Sequence, residues 1–138
     1  MLKLKRRAVV LAATILLFVA ARAGGPAAGE NAAPSVRLFI DYGDGVTKTI
    51  EDLSWSKGNT VLDAMKAATS RPHGISFTYT GSGATAVLAK IDDVQNEGAG
   101  KKNWQFWVDN AYGDKSFAVF ETQEGDVISW RFTTEQGK

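Results

Sequence analysis

The chain has 138 residues, 16 of them basic and 15 acidic, with one histidine and no cysteine. A net charge of +1 excludes the strongly basic surface of a nucleic-acid binder, and the missing cysteine excludes disulfide staples, thiolate metal centres and a lipidated cysteine behind an export signal. The length suits one domain that must hold itself together by its own core.

The first residues carry a basic segment (Lys3, Lys5, Arg6, Arg7), an apolar run from Ala8 to Ala21, and then Ala21-Arg22-Ala23 ahead of Gly24-Gly25-Pro26. This is the pattern of a secretory signal peptide over residues 1–23, cut after Ala23 at a small-x-small site. The apolar run of 14 residues falls short of the roughly 20 needed to cross a bilayer core, so a retained membrane anchor is the weaker reading. Arg6-Arg7 lacks the polar and aromatic neighbours of a twin-arginine signal, which favours general export. Cleavage removes five basic residues and no acidic one, leaving eleven against fifteen and a net charge of −4. The expected product is exported to the periplasm, cell surface or exterior, with no nucleic-acid partner and no membrane partner after cleavage.

Residues 24–34 are small and lack large apolar side chains, which predicts a tether. The folded domain is expected over 35–132, with 133–138 as a tail. From Ser35 to Tyr42, alternation of Val36, Leu38, Ile40 and Tyr42 against Arg37, Phe39 and Asp41 predicts a strand with one buried face. Gly43-Asp44-Gly45 turns the chain into a second strand over Val46 to Leu53. Asn59 then caps one amphipathic helix through Ala68, with Val61, Leu62, Met65 and Ala68 at helical spacing, ended by Arg71-Pro72-His73-Gly74. Further strands follow at Ile75–Tyr79 and Ala86–Ile91, then a glycine-containing loop from Asn96 to Asn103. Two aromatic strands close the chain, one from Trp104 to Asp109 and one begun by Gly125-Asp126. Two strands, one helix and several strands predict an α+β fold, a β-grasp-like mixed sheet of about five or six strands with the helix on one face.

Four elements together resemble one family: the opening strand, Thr60-Val61-Leu62-Asp63-Ala64-Met65, Trp104-x-Phe106-x-Val108-Asp109, and Gly125-Asp126-Val127-Ile128-Ser129-Trp130. They are similar to the transcobalamin-like C-terminal domain family, over roughly Ser35 to Phe132. In that family an Asn-Gly turn usually follows the tryptophan strand, where this chain has Asp109-Asn110 and a later Gly113. The resemblance implies a β-grasp fold, a non-catalytic role and no resident cofactor, with cobalamin a candidate ligand. The larger helical domain that completes the corrinoid site of the animal carriers has no counterpart in this chain.

A sheet covered by a helix on one side has one dry face, so the tryptophans cannot all be core for the same reason. Period-2 alternation assigns Trp104, Phe106, Val108, Ile128, Trp130 and Phe132 to the core. It leaves Trp107 and Gln105, with Arg131 and Phe39, on the open face, where an exposed indole beside an arginine would stack on a planar ligand, a sugar or a peptide. The plainer alternative is that Trp107 packs beneath the loop at 99–102 or a terminus. His73 reads as an exposed loop residue, since zinc would need companion ligands; its functional alternative is an axial nitrogen for a corrinoid cobalt. Asp41, Asp44 and Asp92-Asp93 read as turn residues, because the calcium-loop spacing fails. No nucleophile elbow, second histidine or phosphate loop is present, which argues against an enzyme. The expected partner is therefore a small molecule or, alternatively, an envelope protein recognised by an interaction or structural module.

Overall fold

The computed structural model describes residues 32–135; the expected signal peptide, most of the tether and the last three residues lie outside this range. Strands β1 (Ser35–Asp41) and β2 (Thr47–Ser54) form the first hairpin, and helix α1 (Val61–Thr69) follows. Then come β3 (Phe77–Thr80), a short 3₁₀ turn (Gly83–Thr85), β4 (Val87–Ile91) and β5 (Val94–Gln95). The chain ends with β6 (Asn103–Val108), β7 (Ala111–Tyr112) and β8 (Val127–Thr133). Among the described residues no helix is long and apolar enough to cross a membrane.

The fold is a small mixed α+β structure built on a five-stranded sheet of order β2-β1-β8-β6-β7. Its central pair, β1 and β8, runs parallel, and the other neighbours are antiparallel. The strands at Ile75–Tyr79 and Ala86–Ile91 do not extend this sheet. They form β3 and β4 of a separate three-stranded sheet, β3-β4-β5. One face of the large sheet thus has two covers. Val61, Ala64, Met65 and Ala68 of α1 are buried against it, and Leu88 and Ile91 of β4 belong to the same core cluster. All six aromatic and aliphatic residues assigned to the core by alternation are buried there.

Helix α1 begins one residue later than Asn59 suggested. Thr60 Oγ1 accepts from Asp63 N at 3.3 Å while Asp63 Oδ2 accepts from Thr60 N at 2.8 Å, a reciprocal capping box. Asn59 is engaged elsewhere, its carbonyl accepting from Thr122 N at 2.9 Å and from Thr122 Oγ1 at 3.0 Å. The first helical amides also find partners outside the helix: Val61 N donates to Phe120 O and Leu62 N to Phe117 O, both at 3.0 Å. These bonds fix the segment before β8 against the helix start, satisfying donors that every helix N-terminus leaves open.

Candidate functional site on the open sheet face

Strand β8 lies between β1 and β6, so its register decides which residues meet on the face turned away from α1. Phe39 pairs with Ser129, and Ser129 with Trp107; Asp41 pairs with Arg131, and Arg131 with Gln105. The four residues singled out from the sequence, Phe39, Gln105, Trp107 and Arg131, are therefore neighbours on one face.

Trp107, however, is not an open platform. It is only 7% exposed and lies outside the main core cluster. The Arg131 guanidinium sits 4.4 Å from the centroid of its ring, and Tyr112 meets it edge-on at 5.5 Å. The expectation of an exposed indole is corrected here, because the stacking position is taken by the protein's own arginine. A guanidinium tolerates this placement well: it is planar, weakly hydrated, and attracted by the ring's negative face.

The polar consequence concerns Arg131. Among the described residues its guanidinium makes no hydrogen bond and no ion pair, so stacking holds it while its N–H donors stay uncommitted. It borders a cavity of about 460 Å³ together with Phe39, Asp41, Gly43, Lys102 and Glu135. Lys102 reaches this place from the loop before β6, its Nζ donating to Gly43 O at 3.3 Å. Gly43 has φ +74°, and a Cβ there would run into the Phe132 carbonyl, so the turn needs glycine. Asp41 is partly spent on that turn, accepting from Gly43 N at 2.8 Å. Gln105 sends Nε2 to Thr133 O at 3.1 Å. The ensemble brings together two cations, Arg131 and Lys102, an apolar Phe39 surface and the carboxylates of Asp41 and Glu135. It is suited to holding a flat group that bears an acid.

A second polar cluster was not singled out from the sequence. Tyr42, Lys48 and Asp92 border a cavity of about 310 Å³ with Asp44, Asp93 and Val46. Asp92, at φ +50°, is the first residue of the two-residue turn joining β4 to β5, as its reading as a turn residue implies. Its side chain does more: Oδ2 accepts from the Tyr42 hydroxyl and from Lys48 Nζ (3.0 Å), and Oδ1 from Ser76 N (3.0 Å). Lys48 Nζ also donates to Gly74 O at 2.9 Å. Burial works to raise the Asp92 pKa, but the bonds from Tyr42, Ser76 and Lys48 outweigh it and hold the group below the ordinary carboxylate value. Burial, aided by the neighbouring carboxylate, drives the Tyr42 phenol upward. With its acceptors engaged in this way, the cluster clasps the hairpin of the large sheet to the small sheet.

Asp126 is buried, and its pKa is raised by that burial and by Asp109, through a hydrogen bond between the two carboxyl groups and through its charge, against the opposing bond from Gln123 N. Each carboxylate serves the backbone: Asp126 Oδ2 accepts from Gln123 N at 2.7 Å and Asp109 Oδ1 from Val127 N at 2.8 Å. His73 is exposed at φ +56°. Asp44 Oδ1 accepts from Val46 N at 3.0 Å, as a hairpin residue would. Among the described residues no group of three or more histidine, cysteine, aspartate or glutamate side chains is placed to hold a metal ion.

No family model matches the chain, and no curated protein matches it. Solved structures do match. One is the 1.30 Å crystal structure of a "putative metal binding protein" from Ruminococcus gnavus ATCC 29149, with a TM-score of 0.60 over 75% of this chain and 99% of that one. At 9% identity the likeness concerns the fold alone.

Proposed function

We propose that this chain is an exported, non-enzymatic binding module of the β-grasp type, related to the transcobalamin-like C-terminal domains. The fold part of the reading is supported by the parallel pair at the sheet's centre with one helix across one face. The observation that carries the functional part is Arg131, whose guanidinium lies over the Trp107 ring and, among the described residues, has no hydrogen-bond or ion-pair partner, beside Phe39 and Lys102. Such a guanidinium is preorganised for a carboxylate or phosphate, and preorganisation reduces the entropy cost of binding. The ligand class is a flat molecule with an acidic or strongly polar edge. A corrinoid is the candidate that the family resemblance names. The metal chemistry in the name of the R. gnavus protein is not carried over, because the donor sets near the cavities here are turn and clasp residues.

The test is calorimetric titration of residues 24–138 with cyanocobalamin, repeated on Arg131→Met. Methionine keeps apolar and sulfur contact with the indole while removing the charge. Saturable heat that is lost in Arg131→Met at an unchanged unfolding temperature supports the site, and no heat from the parent protein retires the corrinoid. A second reading, an envelope protein-interaction module, is favoured by β2, an eight-residue strand at the sheet's edge. Edge strands accept a partner strand by main-chain pairing. Arg71 covers part of this edge through the carbonyls of Glu51 and Asp52. A pull-down that recovers one defined partner and is lost on adding a proline at Thr49 would favour this reading.

A further inference from the structure

The cavity of about 460 Å³ on the open face carries both signs of charge: Arg131 and Lys102 border it, and so do Asp41 and Glu135. Among the described residues none of these four takes part in an ion pair, whereas Arg37 pairs with Glu51 and Lys48 with Asp92. The register explains part of this. Asp41 is the partner of Arg131 on the neighbouring strand, but the guanidinium lies over Trp107, two residues along β6 from Arg131's other partner, Gln105. An exposed pair with Asp41 would gain little from attraction screened by water, so the indole face competes easily for the arginine.

The other three charges are engaged by the main chain or by nothing. Asp41 Oδ1 accepts from Gly43 N at 2.8 Å and Lys102 Nζ donates to Gly43 O at 3.3 Å, so one glycine of the first hairpin turn holds a carboxylate and an ammonium through separate bonds. Glu135 donates its main-chain N–H to Thr133 Oγ1 at 3.1 Å, while its carboxylate makes no hydrogen bond among the described residues. Bonding capacity therefore remains on Asp41 Oδ2, on both Glu135 oxygens, on the Arg131 N–H groups and on the Lys102 ammonium. Two cations and two carboxylates cancel, so the cavity exerts no net pull on a simple anion or a simple cation. A ligand that bears both charges meets a partner for each, and complementarity of this kind confers selectivity.

We propose that this cavity takes a small zwitterion, an ammonium and a carboxylate on one molecule with an apolar side group, of which an aromatic α-amino acid is the simplest case. The inference rests on the reading that the open face binds its ligand through Arg131, and it narrows that ligand from an acid to an acid that also carries an ammonium. Arg131 and Lys102 take the carboxylate in charge-assisted contacts. Asp41 Oδ2 and the Glu135 carboxylate take the ammonium, and the half-buried Phe39 ring receives the apolar group. The cavity's volume lies within the range of small-molecule sites.

The experiment is titration of the ¹⁵N-labelled protein with L-phenylalanine, 3-phenylpropionate and 2-phenylethylamine, which share one skeleton and carry both charges, the acid alone and the amine alone. The Arg131 Nε–H resonance, assigned by its loss in Arg131→Met, and the tryptophan indole N–H resonances report binding. Phenylalanine is expected to bind saturably and roughly tenfold more tightly than either analogue, the scale of one hydrogen bond between charged groups. In the double variant Asp41→Asn with Glu135→Gln, where the amide at position 41 keeps an acceptor for Gly43 N, the preference over 3-phenylpropionate should vanish at an unchanged unfolding temperature. Equal affinities of phenylalanine and 3-phenylpropionate for the parent protein would overturn the zwitterion while leaving the acid site on Arg131 standing. Tighter binding of O-phosphoethanolamine, a zwitterion without an apolar group, would overturn the amino-acid class in favour of a lipid-type headgroup. No saturable shift with any of these compounds would overturn the zwitterion, and the Arg131 reading falls with it only if the cyanocobalamin titration is silent as well.

Discussion

At single residues, the geometry most at odds with its side chains is the turn after β6. Val108 pairs with Ala111, so Asp109 and Asn110 form a two-residue hairpin loop, with φ of +48° and +66°. Both central residues at positive φ make the mirror-image turn whose twist suits adjoining strands, and glycine is the favoured second residue. Asparagine tolerates that conformation but not without cost. Asn110→Gly should therefore stabilise the protein by up to about 1 kcal/mol, the order of a relieved left-handed residue less the added freedom of glycine in the unfolded chain. Urea unfolding would check it, and a loss of stability would mean that Asn110 makes a contact outweighing the relief. Asp109 is the wrong target for the same change, because its carboxylate holds Val127 N at the start of β8.

At the level of elements, the join between α1 and the segment before β8 rests on the Thr60–Asp63 box and on the amides of Val61 and Leu62. Thr60→Ala removes the side-chain acceptor and leaves Asp63 half of its partnership, so it should cost about 1 kcal/mol, with a fall in unfolding temperature as the readout. A variant as stable as the parent would show that the carbonyls of Phe117 and Phe120 suffice to cap the helix. The helix itself was legible because its apolar spacing is local. The cap was misplaced by one residue because Asn59 and Thr60 are both good capping types, and only Asp63, three positions after Thr60, discriminates between them. Alternation along β6 and β8 correctly separated Trp104, Phe106, Trp130 and Phe132 from Trp107. It could not reveal that Arg131 lies over Trp107, since this depends on the β6–β8 register across more than twenty residues. The small sheet was hidden for a similar reason: β3, β4 and β5 are short, and no local pattern states which partner a four- or five-residue strand will choose. The clasp was missed because Asp92 satisfies a turn reading so well that nothing in its neighbourhood asks for Tyr42 or Lys48.

For the whole molecule, two carboxylates bend the stability curve in opposite directions. Asp92 has its pKa lowered by folding, so its contribution is present above the unfolded aspartate value of about 3.9 and disappears as pH falls through the lower folded value. Asp126 has its pKa raised, so the native state favours its protonated form. Its contribution is complete below about pH 3.9 and is lost as pH climbs through the raised folded value. These two groups together therefore favour mildly acidic conditions, with the clasp failing on the acid side and the buried Asp126 charge opposing folding on the neutral side. Asp126→Asn keeps an oxygen for Gln123 N and introduces no charge, so it should be more stable than the parent near neutrality, with the difference shrinking as pH approaches about 3.5, where the parent's own carboxyl becomes protonated. Asp92→Asn should do the reverse, being less stable near neutrality and approaching the parent in strong acid, because the Lys48 ammonium and Tyr42 hydroxyl then face a neutral amide in the variant and a neutral carboxyl in the parent. Urea unfolding of the parent and both variants at about pH 2.5, 4 and 7, spanning the ordinary aspartate range, separates the two effects. Parallel curves for the parent and Asp126→Asn would show that Asp126 titrates normally and that its burial next to Asp109 carries no cost. Parallel curves for the parent and Asp92→Asn would show that the two sheets are held by apolar packing of Leu88, Ile91 and Trp104 instead of by the charged clasp.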